Sequence, residues 1–345
     1  MKNIIFFFLI LFLSCGKEHR APRDFSHVEV EVIYKNESAS FRAIEIDKQE
    51  NLVFADNNGI VGIIDVKNDR SKFIQTKRDT LVPHYRSLAI ANGHQLALSI
   101  ANPALLYHSE QKDFVYTEEN EKVFYDAMHF WNDEEGIAMG DPIEDCLSVI
   151  ITRNGGHSWR KVSCEVLPKT EEGEAAFAAS DTNIAIVGND TWLFSGGKKS
   201  RVFYSSDKGI TWTVFDTPII QGEPAQGIYS GDFYDENHGI VIGGDYTKPE
   251  ENTANKAITK DGGKTWQLVS SGKEPGYKSC VQYVPWGDAK EIMAVGFTGI
   301  SYSNDGGEEW TALSDESFYT LRFLNDTVAY AAGKGRIAKL TFKQI

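Results

Sequence analysis

Several charged residues recur at matching places in similar stretches of this chain, and they are the first candidates for chemistry. The cations Arg42, Arg86 and Lys278 would suit an acidic ligand, because guanidinium and ammonium groups bind carboxylates through charge-assisted hydrogen bonds. A set of aspartates offers an alternative, since a glycoside hydrolase uses two carboxyl groups roughly 5–10 Å apart on either side of a sugar. The pairs that would serve are Asp141 with Asp245, or Asp126 with Asp190.

Other kinds of catalytic site have less support in the sequence. No Gly-x-Gly-x-x-Gly segment joins a strand to a helix, and there is no nucleophile elbow. The eight histidines are scattered, with no pair at metal-ligand spacing. We therefore expect neither a cofactor nor a metal, and a generic oxidoreductase assignment has no basis in these residues.

The elements that would position the charged residues are revealed by an eight-residue pattern, Ser/Thr-x-Asp-x-Gly-x-Ser/Thr-Trp. In a tight hairpin the Asp or Asn side chain accepts backbone hydrogen bonds, Gly adopts a positive φ, and Trp packs on a neighbouring sheet. Turn capping therefore explains these aspartates without catalysis. The paired Asp/Asn and Trp positions of the four copies are Asn154 and Trp159, Asp207 and Trp212, Asp261 and Trp266, and Asp305 and Trp310.

Longer repeats surround these hairpins and predict seven similar β-modules. Aligning apolar strands by their core residues places repeat starts 40–52 residues apart, close to the roughly 40–45 residues of a four-stranded propeller blade. The starts are Phe41, Tyr85, Tyr125, Glu174, Ala225, Tyr277 and Phe318. The prediction is an all-β, seven-bladed β-propeller with four-stranded antiparallel blades.

The two ends of the chain are expected to close the ring together. The last repeat has residues for only three strands, whereas the alternating segment from Val28 to Tyr34 has no repeat of its own. If that segment supplies the fourth strand of the last blade, the ring closes without an open sheet edge. Antiparallel topology then places on the face opposite the hairpins the first-strand residues Arg42, Arg86, Asp126, Gln226, Lys278 and Tyr319. The turns after the second strands would add to that face Asp56, Asp141, Asp190, Asp245, Lys334 and Arg336.

The Thr-x-Asp-Gly-Gly-x-Thr-Trp hairpins resemble the Asp box of sialidases and related BNR-repeat propellers. Together with the blade spacing, they make nearly the whole mature chain similar to the photosystem II assembly and stability factor family of propellers. That resemblance implies a non-catalytic binding or assembly platform. Sialidases are more distant, because they have six repeats and a Phe-Arg-Ile-Pro segment, whereas this chain has Phe41-Arg42-Ala43-Ile44.

The first residues predict export. Lys2 precedes a short apolar run that ends at Ser14-Cys15-Gly16, typical of a bacterial lipoprotein signal in which Cys15 is lipidated. The expected organisation is a signal peptide over 1–14, a tether over 15–26 and one propeller over 27–345. In such an oxidising compartment Cys146 and Cys164, which flank a predicted hairpin, are candidates for a disulfide, and Cys280 is expected to be a buried thiol.

Charge limits the partners that this chain is expected to have. The formal net charge is −14, which argues against nucleic-acid binding, since that requires concentrated positive charge. We expect a monomer attached to the membrane only through its lipid, on the periplasmic side or the cell surface. Its partner would be a protein or a glycan bound at the face opposite the hairpins, through Arg42, Arg86, Asp126, Asp141, Asp245 and Lys278.

Overall fold

Short runs of alternating apolar and β-branched residues fold into 29 strands and no α-helix in the computed structural model, which describes residues 21–344. The strands are grouped into seven four-stranded antiparallel blades, as the sequence predicted. No helix of the described residues is long and apolar enough to cross a membrane.

The strands follow the chain from the channel outward in each blade. Blade 1 contains the second half of β1 (Phe25–Ile46), then β2 (Leu52–Asp56), β3 (Ile60–Asp65) and β4 (Arg70–Gln75). Blade 2 contains β5 (Tyr85–Ala91), β6 (His94–Ser99), β7 (Ala104–His108) and β8 (Asp113–Glu118). Blade 3 contains β9 (Tyr125–Phe130), β10 (Gly136–Gly140), β11 (Ser148–Thr152) and β12 (Arg160–Lys161).

The remaining blades repeat this arrangement. A short strand β13 (Glu174–Ala175) precedes blade 4, which contains β14 (Ile184–Val187), β15 (Asp190–Phe194), β17 (Arg201–Ser205) and β18 (Thr213–Asp216), with β16 (Gly196–Gly197) between its second and third strands. Blade 5 contains β19 (Gln226–Phe233), β20 (Gly239–Asp245), β21 (Lys256–Thr259) and β22 (Gln267–Leu268). Blade 6 contains β23 (Cys280–Tyr283), β24 (Ile292–Gly296), β25 (Gly299–Ser303) and β26 (Thr311–Ser314). Blade 7 contains β27 (Thr320–Phe323), β28 (Val328–Ala332), β29 (Lys334–Gln344) and the first half of β1.

The N-terminal strand closes the ring. Val30 lies opposite Leu340 in an antiparallel ladder between β1 and β29, and after a bend β1 continues as the first strand of blade 1. The first strands of the seven blades contact one another in order, and β27 contacts β1 in turn. The prediction that the segment from Val28 to Tyr34 completes the last blade is therefore confirmed, although β1 begins slightly earlier, at Phe25.

A separate apolar cluster fills each of the seven gaps between neighbouring blades. Between blades 4 and 5, the fully buried Trp192 stacks on Phe233 with ring centroids 3.6 Å apart, and Trp266 meets Phe233 edge-on. Since flat sheets have little hydrophobic interior of their own, burial between blades is the main force that holds the ring together.

The four hairpins with the eight-residue pattern have the predicted local contacts. In blade 5, Asp261 Oδ1 accepts a bond from Thr265 N at 2.9 Å, and Oδ2 accepts one from Thr265 Oγ1 at 2.6 Å. Gly263 has a φ of 85°, and an added Cβ would lie 3.0 Å from Trp192 Nε1. The Trp266 indole N–H donates to the Gly263 carbonyl at 2.9 Å. We call the face of the ring that carries these turns the hairpin face.

Blade 4 departs from the predicted register. Its first strand is Ile184–Val187, and Glu174 instead lies on the short β13, where it pairs with Gly197 and forms a buried ion pair with Arg201. The small apolar residues that follow Glu174 resemble a first strand in composition, but they cross the central channel before β14 begins. The repeat start at Glu174 was therefore placed about ten residues too early.

The cysteines of the described chain differ in their covalent state. Cys146 and Cys164 form a disulfide with their Cα atoms 5.5 Å apart, and Cys280 is a buried free thiol. The predicted signal peptide and the lipidated Cys15 lie outside the described residues. Part of the proposed tether is ordered, because Arg23 is buried against blade 6 through Glu291.

Candidate functional site

A group of aromatic side chains surrounds the channel on the face opposite the hairpins. Tyr229 stacks face to face on Phe177 with centroids 3.9 Å apart, and it meets Tyr277 edge-on. Tyr246 and Phe297 extend the group outward and are 51% and 40% exposed. We call this surface the aromatic mouth, formed by Phe177, Tyr229, Tyr246, Tyr277, Phe297 and Tyr319.

Two arginines lie within the aromatic mouth. The Arg42 guanidinium stacks over the Tyr319 ring at 3.9 Å and donates to the Ala179 carbonyl at 2.9 Å. Arg86 donates to the Ala178 carbonyl at 3.1 Å. Burial and the neighbouring charge of Arg42 lower the pKa of Arg86 to about 10, and burial also lowers the pKa of Arg42. These two half-buried side chains remain cationic at neutral pH.

Neither arginine has an ion-pair partner among residues 21–344. In addition, the buried Nε of Arg42 has no hydrogen-bond partner in this part of the chain. A partly desolvated cation without a counter-ion is costly, and a ligand carboxylate would remove part of that cost. The charge and the exposed rings therefore suit an acidic group attached to apolar neighbours.

The channel beneath the aromatic mouth is filled by the protein's own chain. Residues 176–183, which we call the channel segment, connect β13 to β14 across the ring. The buried Asp181 accepts bonds from Leu88 N at 2.8 Å and Met128 N at 3.0 Å, while Ser180 donates to the Ser279 carbonyl at 2.6 Å. The segment thus joins blades 2, 3 and 6, and a ligand at the mouth would rest on it.

Two acidic residues lie below Arg86. Asp126 is fully buried, and its pKa is raised well above the ordinary value by burial, with a further contribution from Asp141 that Arg86 opposes. Burial likewise raises the pKa of Asp141 to about 6, although its carboxylate accepts a bond from Ala176 N at 2.7 Å. Asp141 thus holds the start of the channel segment, whereas both oxygens of the buried Asp126 have no hydrogen-bond partner among residues 21–344.

The other predicted ligand residues have structural contacts of their own. Lys278 is 3% exposed, and its ammonium donates to Thr298 Oγ1 and to the Gly299 carbonyl, both at 3.0 Å. Asp245 accepts bonds from the backbone and the hydroxyl of Thr247 and closes the turn after β20. Both residues lie on the predicted face, beneath its surface.

Asp190 lies on the opposite face from the one predicted. It begins β15 directly after the turn from β14, and the neighbouring Asn189 carbonyl accepts a bond from Lys208 in the hairpin of the same blade. The error follows from the misplaced start of blade 4, which shifted the turn by one strand. Asp126 and Asp190 therefore lie at opposite ends of the ring and do not form a carboxylate pair.

The sequence analysis placed Tyr319 on this face but missed the other aromatic side chains of the mouth and the channel segment. Tyr277 is itself a predicted repeat start, which was a usable signal. Phe177 gave no such signal, because its position depends on how the chain crosses the channel. On the hairpin face, reasoning from spacing also missed that His108, Glu110 and His157 meet.

Seven blades around a filled channel define this molecule as a β-propeller. Among solved structures it is similar to "YCF48 bound to D1 peptide", with a TM-score of 0.64 and 12% identity, over 96% of this chain and 100% of the other. It is similar to "Structure of U3-55K", with a TM-score of 0.63 and 12% identity, over 92% and 99% of the two chains. A third likeness is to "Crystal structure of RRP9 WD40 repeats", with a TM-score of 0.63 and 11% identity, over 93% and 99%.

At these identities the likeness concerns the fold. No protein-family model matches the chain, and a search of curated proteins finds no match either.

Proposed function

We propose that this propeller is a non-catalytic binding platform of the cell envelope, which captures an acidic segment of a protein partner at the aromatic mouth. The observation that carries the proposal concerns Arg42 and Arg86, which are half-buried and form no ion pair among residues 21–344, the nearby Asp126 being a buried carboxyl group with a strongly raised pKa. Peptides suit such a site, because a carboxylate can reach the guanidinium groups while apolar side chains cover the rings.

Two further considerations support a peptide over a glycan. A propeller of similar fold has been solved with a peptide bound. The carboxyl groups near the mouth are buried or already hydrogen-bonded within the protein, as Asp126 and Asp141 illustrate. A glycosidase would need two carboxyl groups that flank an open cleft. The resemblance to Asp-box propellers therefore supports only the fold. The proposed binding role depends on Arg42 and Arg86.

The proposal predicts that removing the two positive charges abolishes recognition of acidic peptides. A peptide display library selected on the wild-type protein should be enriched in Asp, Glu or a free C-terminal carboxylate. We expect the variant R42Q/R86Q to bind the selected peptides at least 30-fold more weakly in fluorescence anisotropy, since losing one partner of a buried charge pair costs about 2–5 kcal/mol.

A matched variant controls for loss of charge in general. The double variant R70Q/R160Q removes two exposed arginines outside the mouth and should bind like the wild type. Selected peptides that bind R42Q/R86Q with unchanged affinity, while circular dichroism and thermal unfolding match the wild type, would remove the proposal. Turnover of any member of a panel of aryl glycosides would contradict the non-catalytic part of it.

A further inference from the structure

Three histidines and a glutamate meet on the hairpin face, at the seam between blades 2 and 3. His94 begins β6, His108 ends β7, and Glu110 lies in the turn that follows. His157 comes from the eight-residue hairpin of blade 3. This seam lies at the end of the ring opposite the aromatic mouth, so the cluster is independent of the proposed peptide site.

Two histidine nitrogens lie about as far from one Glu110 oxygen as neighbouring ligand atoms lie from each other around a tetrahedral metal ion. His157 Nε2 lies 3.4 Å and His94 Nε2 lies 3.6 Å from the same oxygen, Glu110 Oε2. Bonds of 2.0–2.2 Å from zinc to imidazole and carboxylate place neighbouring ligand atoms about 3.3–3.5 Å apart. Both distances exceed the 2.7–3.2 Å of an N–H···O hydrogen bond. The groups are therefore spaced for a shared ion.

The third ligand and the supporting contacts come from the same seam. His108, Glu110 and His157 offer ligand atoms that all lie within 4.8 Å of one another. His108 stacks on His157 with ring centroids 4.8 Å apart, its Nε2 lies 3.2 Å from the Gly155 carbonyl oxygen, and its Nδ1 accepts a bond from Glu110 N at 3.3 Å. With Nε2–H donated to the carbonyl, as in many metal-bound histidines, His108 would bind an ion through Nδ1 in exchange for the bond from Glu110 N.

The side chain of Gln111 supplies a second outer contact. Its Nε2 lies 2.7 Å from His157 Nδ1 and 3.5 Å from the His157 carbonyl oxygen. When His157 binds a metal through Nε2, its Nδ1 carries the proton, and the Gln111 amide would turn its oxygen to the ring to accept that N–H.

We propose that His108, Glu110 and His157 form a binding site for a divalent transition-metal ion such as Zn²⁺, with His94, whose Nε2 lies 3.6 Å from Glu110 Oε2, as the fourth ligand. Imidazole and carboxylate ligands suit Zn²⁺, Ni²⁺ and Cu²⁺. Since the ligands come from neighbouring blades, the ion joins blade 2 to blade 3. The exposed fractions of His157 and Glu110, 44% and 48%, leave the site open to solvent and to metal exchange.

The equivalent hairpins of the other blades indicate which residues can replace His157. The position of His157 between the second Gly and the hydroxyl residue is occupied in the other three copies by Ile210, Lys264 and Glu308. His157→Lys therefore introduces a residue that an equivalent turn already carries, and we expect the metal-free protein to keep its fold and thermal midpoint.

Zinc titration of the mature chain, purified without a polyhistidine tag and treated with chelator, tests the site. Isothermal titration calorimetry with ZnCl₂ should give one saturable site, and Co²⁺ should give the visible absorption of a tetrahedral complex. We expect H157K and E110Q each to lower zinc affinity at least tenfold. The variant H238Q, which removes a distant surface histidine of the same face, should bind zinc like the wild type.

The thermal midpoint provides a second readout. Zinc at 100 times its dissociation constant should lower the unfolding equilibrium constant of the wild type about 100-fold, and it should leave H157K unchanged. Absence of saturable zinc binding by the wild type, or zinc affinity of H157K and E110Q equal to that of the wild type, would overturn the proposal.

Discussion

Asp261 illustrates how one side chain fixes a turn. It accepts hydrogen bonds from the backbone and hydroxyl of Thr265 and from Thr259 Oγ1, and it lies in an otherwise exposed hairpin. Burial opposes ionisation, but the bonds from Thr265 outweigh it, so the pKa of Asp261 is lowered. A lowered pKa means that the ionised carboxylate contributes stability above the ordinary pKa and that this contribution is lost as the pH falls through the folded value.

Substitution of Asp261 separates the acceptor role from the charge. Asp261→Ala should lower the free energy of unfolding by about 1–3 kcal/mol at pH 7, because backbone and hydroxyl donors in the turn lose their acceptor. Asp261→Asn should cost less, since Asn154 occupies the equivalent place in the hairpin of blade 3 and accepts a bond from Ser158 N. Urea unfolding at a series of pH values measures both effects.

The free energy of unfolding at acidic pH provides the control. The wild type should lose stability relative to D261N as the pH falls below about 4, the ordinary range of an Asp carboxyl. Equal stability of D261A and the wild type at pH 7, or parallel acid limbs for D261N and the wild type, would show that the side chain does not cap the turn.

Among the elements, the N-terminal strand β1 is fixed by two sets of contacts. Its ladder with β29 completes blade 7, and just before it Arg23 enters the protein with only 5% of its surface exposed. The Arg23 guanidinium forms a buried ion pair with Glu291, with Nε 3.0 Å from both carboxylate oxygens, and Tyr302 donates to the same carboxylate. The strand that closes the ring is thus attached to blade 6 as well as to blade 7.

Breaking this ion pair from one side should be costly. Arg23→Met should lower the free energy of unfolding by about 3–5 kcal/mol, because it leaves Glu291 buried without its counter-ion. The double variant R23M/E291L should recover part of that loss, since it removes the buried carboxylate, whereas the more exposed Asp326, which also pairs with Arg23, still loses that ion pair. Urea unfolding followed by tryptophan fluorescence measures both variants.

An exposed pair on the same closing ladder provides the comparison. Lys343 and Glu29 join β29 to β1 at 3.3 Å, with 41% and 62% of their side chains exposed. Lys343→Met should change the free energy of unfolding by less than about 1 kcal/mol. A loss of similar size for R23M would mean that the buried pair does not hold the closing strand.

For the whole molecule, the N-terminal region both closes the ring and precedes it with the proposed site of lipid attachment. Arg23 and β1 fix the start of the described chain to blades 6 and 7. We propose that a lipid on Cys15 holds the ring close to the membrane through the few residues between them. The partner would then be another component of the envelope.

Lipidation of Cys15 has a direct test. Cells that express the wild type should incorporate labelled palmitate into the protein and retain it in the membrane fraction, because the thiol carries the lipid. Cys15→Ser should abolish the label and release the propeller, whereas Cys280→Ser, which changes a buried thiol of blade 6, should keep the label. Palmitate in C15S equal to that in the wild type would exclude this anchor.

The amino-acid sequence by itself determined the architecture of the ring. The hairpin pattern and the alternating strands are local, since Asp261, Gly263 and Trp266 act within a few residues of one another, and repetition of one module limits how the modules assemble. The need to complete the last blade likewise predicted the role of the segment from Val28 to Tyr34.

Only the tertiary structure decided which residues fill the channel and which side chains meet between neighbouring blades. The channel segment resembles a strand in composition, and its path depends on acceptors and donors in distant blades, such as Leu88 and Ser279. Its strand-like composition also caused the wrong prediction for Asp190. The burial of Lys278 depends on its bonds to Thr298 and Gly299. His108 and His157 meet because two blades pack side by side, and sequence spacing does not encode a distance between blades.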